Sequence, residues 1–274
     1  MIVLIGVIGV CLGWLVRGVR VQREAVHAIE QTGGSVAYDW DSEADQNRPA
    51  AIPGMPLCGN TSVFEEVWSR PDAMPRWPRC LIDVLGVDYF RNAVAARIST
   101  QGTDADLINL ECLSRLKGVE LANLPITDAG LVHLRTLRCL EVLNMNDTRV
   151  SDAGLANLKR LASLRKLCLN HTLVTDTGLA HLNELTRLEM LVPGWTRITD
   201  AGLVHLKGMT RLQELYLRNC AVSDVGLAHL KGLTKLQLLD IRETGVTVVG
   251  IKELRAALPQ LAIAHSHRGE RGAR

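Results

Sequence analysis

The chain has 274 residues and a formal net charge of +2, from 31 basic and 29 acidic side chains. That near balance excludes the strong single-sign field on which nucleic-acid binding relies, so no nucleic-acid partner is expected. The seven cysteines (Cys11, Cys58, Cys80, Cys112, Cys139, Cys168 and Cys220) share no C-x-x-C spacing, which argues against a zinc site or a disulfide scaffold; they read as inert, reduced thiols and favour a reducing compartment.

The first element is the uncharged run IVLIGVIGVCLGWLV at residues 2–16. It is shorter than the ~20 apolar residues of a full membrane span and longer than most signal-peptide cores. Arg17, Arg20 and Arg23 come directly after it and no A-x-A cleavage site does, so residues 1–18 read as a transmembrane anchor or an uncleaved signal. The positive-inside rule would keep those arginines, and the chain beyond them, in the cytoplasm; with no basic residue ahead of the run, the side of the membrane stays open. Residues 19–41 read as a juxtamembrane helix, with Val19, Val26 and Ile29 at helical spacing and Gly33-Gly34 as its stop, then a short strand in SVAYDWD. Residues 42–78 hold six of the nine prolines and no period, and read as a linker. Residues 79–102 suggest a short helix in CLIDVLGVDYF and a first strand in AVAARI, forming an N-terminal cap.

From Thr103 the chain repeats every 24 residues. TDAGLVHLRTLRCLEVLNMNDTRV is succeeded by SDAGLANLKRLASLRKLCLNHTLV, and four further units share the pattern without an insertion. A seventh begins correctly at Thr247 and decays, so repeats and terminal cap occupy 103–264, with 265–274 a basic, disordered tail. Self-similarity at this period with an L-x-x-L-x-L core is the leucine-rich-repeat signature. Numbered from the Thr or Ser, each unit is apolar at positions 5, 8, 11, 14, 17, 19 and 24. The early positions have helical spacing, and 17 and 19 alternate as on a strand. The expected fold is therefore an α/β leucine-rich-repeat solenoid: a curved right-handed coil with a parallel sheet on its concave face, helices on its convex face and an N-terminal hydrophobic anchor helix. Asp at position 2 is expected to cap the helix N-terminus, Gly at position 4 to leave room for close packing, and Thr at position 22 to pair with buried loop amides.

The repeats resemble the cysteine-containing, ribonuclease-inhibitor-like class in the form LxxLxLxxTxVTDxGLxxL. The front end, LGWLVRGVRVQREAVHAIEQTGGSVAYDW and later CLIDVLGVDYFRNAV, resembles the head of planctomycete-type bacterial membrane-anchored leucine-rich-repeat proteins. That resemblance implies an anchored protein of the bacterial inner membrane and carries no catalytic residue with it.

Side chains at positions 16, 18 and 20, with 21 at the rim, are expected to point away from the core. These columns vary where the inward ones do not, and they supply the candidate partner-binding residues: Asn144, Asn146, Cys168, Asn170, His171, Val192, Trp195, Tyr216, Arg218, Asp240 and Arg242. Both charge signs, amides and two aromatics suit a protein or peptide partner. The segment LVPGWTRITDAGL at 191–203 breaks the pattern. Pro193 removes one ladder N–H and underfills a leucine site, a local cost of about 1–3 kcal/mol. Trp195 then either folds back over that gap or offers a rigid contact beside Tyr216, His171 and Arg218; both readings stay open. His133, His181, His205 and His229 share position 7 and read as an exposed row repeated by duplication rather than a metal site. H-E-x-x-H, G-x-S-x-G, G-x-x-x-x-G-K-[ST] and G-x-G-x-x-G are absent. The expectation is a non-enzymatic, membrane-tethered binding scaffold without cofactor or metal. The alternative is an adaptor that delivers targets to a separate enzyme.

Overall fold

The computed structural model describes residues 20–38 and 93–266. The expected anchor, the linker at 42–78, the helix expected in 80–90 and residues 267–274 of the tail lie outside them. Among the described residues no helix is long and apolar enough to cross a membrane.

Residues 20–31 are helical, and Gly33, at φ +86°, turns the chain into β1 (Ser35–Tyr38). β1 pairs antiparallel with β2 (Ala93–Arg97), with an irregularity between Ala37 and Tyr38. From there the sheet is parallel and in strict chain order: β3 (Gly118–Glu120), β4 (Val142–Asn144), β5 (Lys166–Cys168), β6 (Met190–Val192), β7 (Glu214–Tyr216), β8 (Leu238–Asp240) and β9 (Ala262–Ala264). Each rung matches equivalent positions of neighbouring units, as in Leu143↔Leu167, Leu167↔Leu191 and Leu191↔Leu215. The segment read as a juxtamembrane helix and strand is thus part of the solenoid. Ala25, Val26 and Ile29 are buried in the same core as the leucines, so the helix closes the end that the first repeat leaves bare.

The inward columns are as the spacing predicts. In the unit beginning at Thr127, Leu131, Leu134, Leu137, Leu140, Leu143, Met145 and Val150 are all fully buried. The helical layer is thinner than expected. Single α turns at Asp152–Leu155, Asp176–Ala180, Asp200–Leu203 and Asp224–Leu227 lead mostly into 3-10 turns, and the first two units use 3-10 geometry alone, at Asp104–Cys112 and Gly130–Thr136. A 3-10 turn advances about 2.0 Å per residue against 1.5 Å for an α turn, so few residues carry the chain back across the sheet.

The aspartates have a different role from the one expected. The helix N-cap is the Thr or Ser itself, and the Asp next to it reaches into the next unit. Asp152 Oδ1 accepts from the Thr175 amide at 2.7 Å and Oδ2 from the Thr175 hydroxyl at 2.6 Å. The same pair of bonds joins Asp104 to Thr127, Asp128 to Ser151, Asp176 to Thr199, Asp200 to Ser223 and Asp224 to Thr247. This ladder also accounts for Gly at position 4. A Cβ on Gly178 would stand 2.4 Å from Asp152 Oδ1 and 2.8 Å from Val174 Cγ1. The last helix, Val248–Ala257, carries Val248 where the ladder would need Asp, and among the described residues no further unit comes after it.

Position 22 also differs from expectation. The hydroxyls of Thr148, Thr172, Thr196 and Thr244 each donate to a carbonyl three residues back in their own unit, at 2.6–2.7 Å. They brace a turn in which position 21 is left-handed in all six units: Asn123, Asp147, His171, Trp195, Asn219 and Glu243 have φ between 53° and 61°. That conformation aims the position-21 amide at the next unit. Asp147 N–H donates to Asn170 O at 2.8 Å, and Trp195 N–H to Arg218 O at 2.8 Å.

Candidate functional site

One face of the sheet packs on the leucine core; the other carries positions 16, 18 and 20. Column 18 is not the open surface that the sequence suggested. Glu120, Asn144, Cys168, Val192, Tyr216 and Asp240 are all buried, with Cys168 1% and Val192 2% exposed. Val142, Cys168, Met190, Val192 and Tyr216 form a second apolar cluster, separate from the core, with Leu238 against it. Cys168 is disulfide-bonded, which corrects the reading of every cysteine as a free thiol; Cys112, Cys139 and Cys220 are free.

The polar members of the columns are tied to one another. Asn144 donates to Glu120 Oε2 at 3.1 Å and accepts from the Asn146 amide at 3.1 Å, and Asn146 Oδ1 accepts from the Asn170 amide at 2.8 Å. Burial raises the Glu120 carboxyl above its ordinary value, opposed by hydrogen bonds from the Ala122 amide and Asn144 and by the charge of Arg97. Tyr216 donates to Glu214 Oε2 at 2.7 Å; burial, that bond and the Glu214 and Asp240 charges raise its phenol. The Asp240 carboxylate is held by Arg242 of its own strand end at 2.5 Å. Asn144, Asn146, Cys168, Val192, Tyr216 and Asp240 therefore belong to a buried network, and of the eleven candidates only Asn170, His171, Trp195, Arg218 and Arg242 meet solvent.

Three of those five converge on the interrupted unit. Pro193 leaves β6 and β7 with two paired rungs where the neighbouring strand pairs have three. Its carbonyl accepts from the Thr196 hydroxyl at 2.6 Å and from Cys220 Sγ at 3.3 Å, so Pro193 is braced by Thr196 and Cys220. Trp195 stacks along the rim. Its ring lies 4.8 Å from that of His171, at 17° between planes, and the Arg218 guanidinium sits 4.7 Å above it on a cation–π contact. Arg218 is fixed from beyond by Glu243 at 2.7 Å. Gly194 lets the neighbouring units close up beside the stack, because a Cβ there would stand 2.8 Å from Asn170 Oδ1 and 3.2 Å from Arg218 O. Among the described residues, Asn170 Oδ1 and Arg218 Nε are the buried side-chain polar atoms without a hydrogen-bond partner, and both flank this stack. Sequence reasoning missed Glu243 as the anchor of Arg218 and missed the left-handed turn; Asn or Asp at three of six position-21 sites was the available signal.

The position-7 histidines are half-buried rather than exposed, and His133 Nδ1 lies 2.7 Å from Glu111 Oε1. Among the described residues no group of three or more His, Cys, Asp or Glu side chains could hold a metal ion.

Comparisons with known proteins agree with this geometry. The Leucine Rich repeat family matches residues 136–159. The solved structure of internalin C2 from Listeria monocytogenes superposes with a TM-score of 0.55 over 67% of this chain and 75% of that one, at 23% identity. The fold is a leucine-rich-repeat solenoid. The ectodomain of the Arabidopsis receptor kinase HAESA, solved with a peptide hormone, is also similar, at a TM-score of 0.45 and 17% identity; 64% of this chain matches 28% of that one. No curated protein matches the sequence.

Proposed function

We propose that this leucine-rich-repeat solenoid is a non-catalytic scaffold that recognises a protein or peptide partner, and that its docking surface centres on the rim stack of His171, Trp195 and Arg218. The observation that carries this reading is the stack itself. An aromatic pair and a guanidinium, half-exposed, are held by successive turns of a rigid array. Residues of these types dominate binding where they are pre-organised, because little side-chain freedom remains to be lost. Asn170 and Arg242 extend the surface on either side, and a stacked solenoid presents such a row without needing a pocket.

On this reading residues 2–16 tether the chain to a bacterial inner membrane, as the resemblance of the front end implies. The disulfide at Cys168 and the arginines at 17, 20 and 23 point to opposite sides of that membrane. We place the solenoid on the oxidising side, since structural disulfides are common there and rare in reducing compartments, although the arginine bias runs the other way. A compartment-specific reporter fused after Arg274 tests this, and cytoplasmic activity of the reporter would refute it.

The docking surface is tested by selecting binders from a displayed peptide library on the intact chain, then repeating the measurement with Trp195→Ala. Loss of most selected binders, with the unfolding transition retained, supports the rim. Binders that ignore this substitution and Arg218→Ala alike would overturn it.

A further inference from the structure

The formal net charge of +2 hides a separation that the fold reveals. Each unit turns twice: out of its strand, and from its helical segment back toward the next strand. The two kinds of turn lie on opposite flanks of the array, because β2 to β9 all run the same way. On the return flank, positions 7–13 from Asn109 to Pro259 carry eleven Lys and Arg against three Glu. On the other flank, positions 21–24 and 1–4 from Thr103 to Gly250 carry nine Asp and Glu against two Arg. Arg138, Arg160, Arg187, Arg211, Lys235 and Arg255 are all exposed on the return flank. Among the described residues, the side-chain contacts to a carboxylate on that flank are His133 to Glu111 at 2.7 Å and Lys231 to Glu253 at 3.2 Å. Most of the row is therefore balanced only by solvent ions, and its field runs along the whole array.

Three features of the flank select its partner. The basic row repeats through all seven units, which suits an extended anionic surface better than a small ligand. Apolar side chains stand beside it. Val132 and Val204, 41% and 39% exposed, lie three residues before Arg135 and Lys207 in 3-10 segments, where positions i and i+3 stack. Apolar groups next to cationic ones suit the boundary between lipid headgroups and acyl chains. The described chain also begins on this flank. Gly33 and Gly34 lie beside Ser99 and Arg97, at the end of β2. Helix 20–31 meets β1 across that tight turn, and β1 is antiparallel to β2. The helix therefore runs in the direction of β2 and starts, at Arg20, where the strands start. In the sequence only three residues separate Arg20 from the uncharged run 2–16.

We propose that the basic flank seats the solenoid on an anionic lipid surface, its Lys and Arg against headgroup phosphates. The acidic flank, repelled by the same surface, then faces outward and carries the rim of His171, Trp195 and Arg218 away from the bilayer. Polybasic segments close to a membrane gain from each positive charge brought near anionic headgroups. The choice of lipid as occupant rests on the reading of residues 2–16 as a tether; the charge separation does not.

The test adds the full chain to preformed vesicles, either phosphatidylcholine alone or phosphatidylcholine mixed with phosphatidylglycerol. Cys112 and Cys139 are exposed free thiols on the basic flank. Their alkylation by an uncharged polyethylene glycol maleimide, followed by peptide mass spectrometry, reports contact. Both thiols should react severalfold more slowly on the mixed vesicles, and the difference should vanish at high salt, which screens exposed charges. It should vanish as well in the triple variant Arg187→Glu, Arg211→Glu, Lys235→Glu, whose exposed positions leave the urea midpoint unchanged. Equal rates on the two vesicle types, or protection that survives both salt and the triple variant, overturns the proposal. Protection by polyglutamate as strong as by the mixed vesicles assigns the flank to an acidic protein and overturns it too. Flotation reads the tether separately. A chain that floats only with phosphatidylglycerol refutes the tether yet supports the flank, whereas one that floats with both and shows equal thiol rates keeps the tether and refutes the flank.

Discussion

The two edges of the solenoid bind neighbouring units together by opposite means. On the helix side a side chain makes the connection: each Asp at position 2 accepts an amide and a hydroxyl from the next unit. On the strand side the backbone makes it, through the left-handed position-21 amide and the next unit's carbonyl. Where a carboxylate does the joining, its identity is fixed, and so is the glycine that admits it. Where an amide does the joining, the side chain is released, and the column reads Asn, Asp, His, Trp, Asn, Glu. The rim is where side chains are free to vary, because the architecture does not need them to join the units.

The sharpest break of this comparison lies beneath both edges. Leu167 is fully buried at the centre of β5. Leu167→Ala should lower the unfolding free energy by about 2–5 kcal/mol, read from urea denaturation, because a close-packed column cannot collapse around the void. On the helix edge Asp152→Ala should cost less, about 1–3 kcal/mol, since it leaves the Thr175 amide and hydroxyl without their acceptor. If Asp152→Ala were neutral, the carboxylate ladder would be ornament and its constancy would need another cause.

Acid should weaken the same edge. Burial pulls the Asp152 carboxyl upward, but the hydroxyls of Thr175 and Thr177 and the amides of Thr175 and Gly178 outweigh it and hold the group below its ordinary value of 3.8. Asp224 is lowered from 3.8 as well, by the hydroxyl and amide of Thr247 and, against a smaller effect of burial, by the Gly250 amide. A folded value below the unfolded one means that the unfolded chain takes up these protons first. The contribution to stability is therefore complete well above pH 3.8 and is lost as the pH falls through the folded values. The urea midpoint should drop across that acid window, and Asp152→Asn should flatten the drop; an equal slope in the variant would count against the assignment.

The inward columns were legible because burial repeats the same residue at the same spacing, so Leu143, Leu167 and Leu191 announce a common interior. The destination of the aspartates was not. An Asp after a Thr looks the same whether it caps its own helix or reaches the next coil, and only the stacking distance decides. The burial of Cys168 and Val192 was equally hidden. Periodicity says which side of a strand faces the leucines, but nothing in the repeat says that the opposite side is covered too. The rim was half legible: Asn123, Asp147 and Asn219 hint at a left-handed turn, whereas Trp195 in that conformation runs against the preference of bulky residues.

That last residue gives the smallest expected change and the finest test of the comparison. Trp195 gains a ring stack of about 0.5–1.5 kcal/mol and a cation–π contact of about 0.5–1 kcal/mol. Against them stands a left-handed backbone that costs a bulky side chain about 1–2 kcal/mol. Asn is at ease in that conformation, so Trp195→Asn loses the contacts and much of the strain together, and stability should move by less than about 1 kcal/mol. Trp195→Ala loses the contacts with less relief and should be the less stable of the two by urea denaturation. If Trp195→Asn instead cost as much as Leu167→Ala, the indole would be part of the packing, the rim would be no freer than the ladder, and the distinction between the two edges would fail at the position where recognition was assigned.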